Sequence, residues 1–362
     1  MTAPDSLDTL RDTLLAAERV VLTTHIRPDG DALGSEIAVA RFLRALGKEV
    51  MILNADAEPR VLSWLADEQP KGLVQVYQEG NLKQAKAVAE ADVVLVLDTG
   101  QLHRVGAPAN LLKGSTATSM LLDHHPGPED GFDITCVDTN SAATGELVYD
   151  LIAGHDPSLV DAAIATALYT AIVTDTGSFR YSATTPRTHR IIADVLARGG
   201  ITPEPIHIAV YDGRSREGLR LLARALDTIA THYAGRLASM HVTQAMLRET
   251  GAYFDETEGL IQYALALDGV IAAVIGLETP SGIKLSFRSK GDCPINAWAA
   301  KFGGGGHTNA SGAYVTGKPL HHVMKEVVDK APRHVAVVPG ADEGEASEDD
   351  IAKLAALFNQ KP

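Results

Sequence analysis

Four segments of this 362-residue chain set acids and imidazoles at the ends of apolar runs. His25, Asp29 and Asp31 follow RVVLTT, Asp98 follows VVLVL, Asp123, His124 and His125 follow Met120-Leu121-Leu122, and Asp175 closes a long apolar-periodic stretch. Taken singly, each has an ordinary explanation. A strand-terminal aspartate commonly forms a turn or caps a helix, and neighbouring histidines often sit in loops without function. Taken together they suggest one site. Carboxylates packed side by side repel, and cations between them are the cheapest way to keep them ionised. Mixed carboxylate and imidazole donors suit manganese, or magnesium, better than the cysteine-rich sets of structural zinc.

Gathering these groups requires a particular scaffold. The pattern predicts strands at 19–24, 49–53, 73–77, 93–97, 118–122 and 134–137, alternating with helical segments at 7–17, 32–46 and 82–91. Such alternation implies crossover units and a doubly wound, mostly parallel sheet. In open α/β sheets ligands bind at the carboxyl ends of strands, which is where the first three clusters fall. Pro28 and Gly30 favour a turn, with Asp31 expected as N-cap of the 32–46 helix. Helices are expected over 144–152, 159–173 and 186–197, and the Gly/Pro-bearing stretch 201–224 is expected to hold the domain connection. Beyond it, strands at 237–242, 271–277, 283–288 and 312–316 mix with helices at 244–249, 294–302 and 320–330. This makes a smaller mixed α/β domain. The expected organisation is a catalytic domain over 1–200, a helical or loop linker over 201–230, a substrate domain over 231–335 and an acidic tail over 336–362.

The bulk composition narrows the partners. A formal charge of −14 argues against a protein that holds long nucleic acid, which needs a basic face. The segment GADEGEASEDD carries six acids and no base and reads as a solvated tail. No apolar run is long enough to cross a membrane, and residues 1–6 lack the basic and apolar regions of a signal peptide. Two cysteines, Cys136 and Cys293, make no disulfide framework. A cytoplasmic protein without membrane association is therefore expected, and a homodimer is left open.

His25-x-x-Pro28-Asp29-x-Asp31, Asp98, Asp123-His124-His125 and Thr174-Asp175-Thr176-Gly177 resemble the four motifs of the DHH phosphoesterases. The run Gly303-Gly304-Gly305-Gly306-His307 resembles the glycine-rich signature of their DHHA1 domain. The resemblance spans residues 10–330, and its arrangement is similar to the bacterial nanoRNase and pAp-phosphatase (NrnA-type) branch. It implies one divalent cation held by His25, Asp29 and Asp98, and a second by Asp31, Asp98, His124 and Asp175, with Asp98 shared. A cation pair of this kind activates solvent for in-line displacement at phosphorus. Asp123 is then expected to orient an imidazole, and His125 either to contact the scissile phosphate or to protonate the leaving oxygen.

The glycine run itself admits a dinucleotide-binding turn, a flexible linker or a cradle of backbone amides for an anion. The resemblance favours the cradle, with Gly304, Gly305, Gly306 and His307 gripping substrate and Arg288 adding a charged fork to phosphate. Lys301 is either an aid or merely solvated. Eight arginines against four acids lie between Arg180 and Arg224, and most are expected to solvate helices or pair with acids. Phe179, Tyr181 and Tyr211 could stack a base, although packing is the commoner role. The implied activity is two-metal hydrolysis of very short single-stranded RNA to mononucleotides, with removal of phosphate from 3′-phosphoadenosine 5′-phosphate (pAp) beside it. Phosphodiesterases for linear or cyclic dinucleotides and RecJ-type single-strand DNA exonucleases are the alternatives.

Overall fold

The computed structural model describes residues 4–306 and 308–334. His307 and the acidic tail therefore lie outside the described residues. The chain divides into two compact units between Gly213 and Arg214, each built on its own six-stranded sheet.

In the first unit β1 (Arg19–Thr23), β2 (Glu49–Asn54), β3 (Val74–Val76), β4 (Val93–Leu97), β5 (Thr118–Asp123) and β6 (Ile134–Val137) are all parallel. They lie in the order β3-β2-β1-β4-β5-β6, so the winding reverses between β1 and β4. This is the doubly wound α/β sheet expected from the alternation of elements. Strands covered on both faces read as unbroken apolar runs, and every residue of β4 (VVLVL) is buried. Helices Gly30–Ala45 and Ala162–Asp175 share a core that includes Leu33, Ile37, Phe42, Leu168 and Ile172. Each such side chain contributes about 1.5–3 kcal/mol on burial. Their approach is close enough that a Cβ on Gly30 would lie 2.3 Å from Thr174 Oγ1, so only glycine fits there.

The helix expected at 159–173 begins later, because Pro157–Leu159 forms a separate 3-10 turn. Asp161 then caps the following helix by accepting from the Ile164 amide at 2.8 Å. Residues 201–230 hold two helices, Pro203–Tyr211 and Arg216–Leu226. Pro203 and Pro205 sit in the first turn of the former, where a missing N–H forfeits no intrahelical bond.

The second unit contains β7 (Ala230–His232), β8 (Leu237–Val242), β9 (Ala272–Thr279), β10 (Gly282–Ser289), β11 (Gly305–Gly306) and β12 (Ala310–Val315). They lie in the order β11-β12-β10-β9-β8-β7, with β8 and β9 parallel and the other pairs antiparallel. Residues alternate between two cores. Val274, Leu285 and Phe287 pack with Trp298 and Val323 on one face, and Met240, Val242 and Ile275 with Leu221 and Leu260 on the other. The helix expected over 294–302 is confined to Asn296–Ala300. Among the described residues no helix is long and apolar enough to cross a membrane.

Candidate metal centre

The reversal between β1 and β4 leaves a crevice at the carboxyl ends of neighbouring strands. His25 follows β1, Asp98 follows β4, and Asp123 ends β5 with His124 and His125 directly after it. Asp175 reaches the same place as the last residue of its helix. Donor atoms of His25, Asp29 and Asp98 lie within 4.8 Å of one another, as do those of Asp31, His124 and Asp175, and those of Asp98, His124 and His125. Asp98 and His124 each belong to two of these interlocking triads.

The ring orientations are set by the backbone. His25 Nδ1 donates to its neighbour's carbonyl, Ile26 O, at 2.9 Å, which turns Nε2 towards Asp98 Oδ2 at 3.4 Å and Asp29 Oδ2 at 3.9 Å. His124 Nδ1 donates to Ser141 O at 3.2 Å. Its Nε2 then faces Asp175 Oδ2 at 3.4 Å, Asp98 Oδ1 at 3.6 Å and Asp31 Oδ2 at 3.7 Å. An imidazole tied through one nitrogen to a carbonyl, with the other among carboxylates, is the arrangement that metal-ligating histidines adopt. His125 is held differently. Its Nδ1 donates to Asp123 Oδ1 at 2.8 Å, and its amide reaches the same oxygen at 3.0 Å. Asp98 occupies the left-handed region at φ 61°, an unusual conformation for a residue with a side chain and one that clusters at functional sites.

Burial and mutual repulsion shape the charges. Burial, together with the carboxylates of Asp98, Asp175 and Asp29, drives Asp31 well above the ordinary aspartate range. Asp175 is pushed up to about 6 by burial, the His124 charge opposing and the Asp29 and Asp98 charges reinforcing it. Burial would also raise Asp98, but the His25 hydrogen bond and the neighbouring imidazoles outweigh it and hold it far below the usual range. His125 is pushed up to about 9, because its bond to Asp123 and the charges of Asp98, Asp123 and Asp175 overcome desolvation. Acids driven up by burial and by one another, beside one held down by imidazoles, mark a cluster short of positive charge. The donor set and its electrostatics fit divalent cations.

One expectation is corrected. Asp31 does not cap the helix that follows it. That helix starts earlier, at Gly30, and Asp29 is its N-cap, with Oδ1 accepting from the amides of Asp31 and Ala32 at 3.1 Å each. Asp29 is in extended backbone, the geometry a cap requires. Asp31 is thereby freed to reach another element. Its Oδ2 accepts from the Thr144 amide at 2.7 Å and its Oδ1 from the Gly145 amide at 2.9 Å. Thr144 Oγ1 in turn donates to Asp98 Oδ1 at 2.9 Å. The reading of strand ends overlooked Ser141, Thr144 and Gly145. A signal was present: Ala143, the residue before the helix, has no side chain able to cap it.

Behind the site lies a buried pair. Glu36 Oε2 accepts from Asn54 Nδ2 at 2.8 Å, and burial pushes the Glu36 carboxyl up to about 8 against that bond.

In the second unit, Arg288 on β10 donates from Nη1 to Phe287 O at 2.9 Å, and its Nε is buried without a partner among the described residues. The glycine run is not a loose linker. Gly305 and Gly306 pair with Gly312 and Ser311 as an exposed edge strand. At Gly304 a Cβ would lie 2.0 Å from Gly312 O, which close backbone packing forbids, whereas one at Gly305 would meet open space.

The arginines follow the ordinary expectation. Arg187 pairs with Glu146 and Asp150, Arg198 with Asp194 and Arg224 with Glu249, while Arg180 and Arg214 donate to backbone carbonyls. Phe179 packs near Tyr169 and His189, and Tyr211, which is 40% exposed, donates to Val173 O at 3.0 Å.

Comparison with known proteins agrees with this geometry. Residues 19–172 match the DHH family, N-terminal domain, and residues 239–336 the DHHA1 domain. The bifunctional oligoribonuclease and PAP phosphatase NrnA of Thermus thermophilus is 33% identical over 86% of this chain and 88% of its own. The protein of the same name from Bacillus subtilis is 28% identical over 84% and 91%. The crystal structure of an exopolyphosphatase-related protein from Bacteroides fragilis superposes with a TM-score of 0.84 at 29% identity, covering 92% of this chain and 98% of that one. The chain belongs to the DHH/DHHA1 phosphoesterases, in their NrnA-type branch.

Proposed function

We propose that this chain is a metal-dependent phosphodiesterase that cleaves very short oligoribonucleotides to mononucleotides and removes a phosphate from pAp. The observation that carries the reading is the convergence of three interlocking donor triads at the reversal of the parallel sheet. In this assignment His25, Asp29 and Asp98 hold one divalent cation and Asp31, Asp98, His124 and Asp175 a second, with manganese as the proposed metal. Bound there, the cations would supply the Lewis acidity that hydrolysis of a phosphate ester needs.

The remaining groups follow from their own chemistry. His125 has Nδ1 committed to Asp123, and that bond together with the cluster's carboxylates favours its protonated form in the metal-free site. It can pair with an anionic phosphate or deliver that proton to the departing oxygen. Residues 1–200 are assigned to catalysis and residues 231–335 to substrate binding. In the latter, Arg288, Gly304, the amides of Gly305 and Gly306, and His307 are the proposed phosphate contacts, the Gly304 amide itself donating to Ala299 O at 3.1 Å. Backbone amides bind an anion without adding net charge, which suits an acidic chain acting on short substrates. The cytoplasm is the proposed compartment.

The test is a rate comparison with Mn2+ across pAp, the linear dinucleotide pApA, cyclic di-AMP and RNAs from dinucleotides to about two dozen nucleotides. Fast release of mononucleotides from the shortest RNAs, with phosphate from pAp, is expected. Equal rates on short and long RNA would sink the short-substrate claim, and a marked preference for cyclic di-AMP would move the chain to the dinucleotide phosphodiesterases.

A further inference from the structure

We propose that Thr144, at the start of the helix Thr144–Ala153, is a positioning residue that fixes the shared carboxylate Asp98 in register with Asp31, and so sets the geometry of the cation site. The inference rests on the proposed metal assignment and goes beyond it by naming a group outside the donor set.

The N-cap of this helix is Ala143, in extended backbone with no side chain to satisfy the first amides. Alanine is among the poorest N-caps, and an unmet cap typically costs about 1 kcal/mol. Here Asp31, more than one hundred residues earlier, does the capping in trans. Each of its oxygens takes one amide, from Thr144 at 2.7 Å and from Gly145 at 2.9 Å. The same residue that presents its amide to Asp31 presents its hydroxyl to Asp98 Oδ1 at 2.9 Å. Two residues drawn from different strand-to-helix connections are therefore referenced to one rigid helix end.

The preceding residues extend the device, since Ser141 O holds His124 Nδ1. Thr144 is fully buried, so water cannot replace its hydroxyl. Its partner has an awkward backbone: Asp98 sits at φ 61° and gains from an external restraint. The helix itself is anchored away from the site by the Arg187 pairs to Glu146 and Asp150, which gives the reference point rigidity.

A hydroxyl acting through a ligand is tested by removing it at constant shape and then restoring it. Mn2+ binding is measured by titration calorimetry and by electron paramagnetic resonance of unbound Mn2+, with kcat and KM for pAp alongside. The proteins are wild type, Thr144→Val, Thr144→Ser and Thr144→Ala, the last serving if the valine variant fails to fold. Loss of an outer hydrogen-bond partner typically costs about 10–100-fold in metal affinity or activity. A drop of that size in Mn2+ affinity and kcat for T144V or T144A is expected, with KM unchanged and T144S recovering most of the loss. Wild-type Mn2+ affinity in a folded T144V or T144A variant would overturn the positioning role. So would a T144S variant as impaired as T144V, since bulk rather than the hydroxyl would then matter. Failure of the wild-type protein to bind Mn2+ at all would strike the metal assignment instead, so the two failures are distinguishable.

Discussion

In the first unit Asp31, Asp98 and Asp123 are each at most 1% exposed at the edge of a wholly parallel sheet, whereas in the second unit Gly305 and Gly306 lie exposed on the rim of a mixed one. The first unit concentrates like charges where water cannot screen them and steadies them with a helix end, carbonyls and imidazoles. The second presents neutral backbone at its glycine edge and carries the Arg288 guanidinium on β10. The difference follows from sheet type. Parallel strands are covered on both faces, so their carboxyl ends make a deep crevice, while an edge strand offers unpaired amides directly to solvent. A buried acid cluster depends on a bound cation for its balance. A glycine edge depends only on the space beside its backbone.

The sharpest way to break this comparison is Asp98→Asn. With the carboxylate shared by two triads lost, hydrolysis of pAp should fall by more than about 100-fold, the larger effect expected when a ligand rather than its partner is removed. The thermal midpoint should fall as well, because the imidazoles that hold Asp98 ionised lose their partner, so the rate is compared at a temperature where circular dichroism shows both proteins folded. An unchanged rate in a steady-state assay would refute the sharing.

Chelation comes next. Withdrawing a cation bound at about one hundred times its Kd costs about 2.7 kcal/mol of stability. Hydrogen exchange followed by mass spectrometry should show that loss in the 19–175 region while amides of β8–β10 keep their protection. Equal loosening of both units would contradict the contrast.

The glycine edge allows a paired test. Gly304→Ala forces a Cβ against Gly312 O and should destabilise the second unit by about 1–3 kcal/mol in a denaturant titration. Gly305→Ala meets open space, so it should leave stability alone and raise KM if this edge grips phosphate. An unaltered KM would remove Gly305 from the substrate contacts.

The smallest effect concerns Glu36, whose folded pKa of about 8 lies above its ordinary value near 4.5. A raised acid pKa contributes stability that is present below the unfolded value and is lost as pH rises through the folded one. The uncharged variant Glu36→Gln should therefore gain on wild type in melting temperature as pH rises from 5 to 9. Parallel melting curves for the two proteins across that range would show that Glu36 is not held protonated.

Legibility differed between residues. His25, Asp98 and the Asp123-His124-His125 cluster stood out because each follows an apolar run whose period and length announce a buried strand, and such ends share one side of a parallel sheet. Asp31 was found but given the wrong partner. Local rules see an aspartate before a helix, and they cannot tell that Asp29 takes the cap and sends Asp31 elsewhere. Thr144 and Asn54 escaped altogether, since a threonine at a helix start and an asparagine at a strand end are ordinary until their partners are known. The glycine run was visible as an anomaly, but its pairing with Gly312 and Ser311 depends on a strand that comes later in the chain.

By itself the sequence determined the six strands of the first sheet, the doubly wound class and the set of candidate donors, because apolar periodicity and the chemistry of side chains are local properties. Which carboxylate faces which imidazole, which residue caps the 144–153 helix, and which glycines are needed for packing were decided only by the tertiary structure. These are distances between segments up to one hundred residues or more apart, and they exist only once the sheet has closed and the helices have packed upon it.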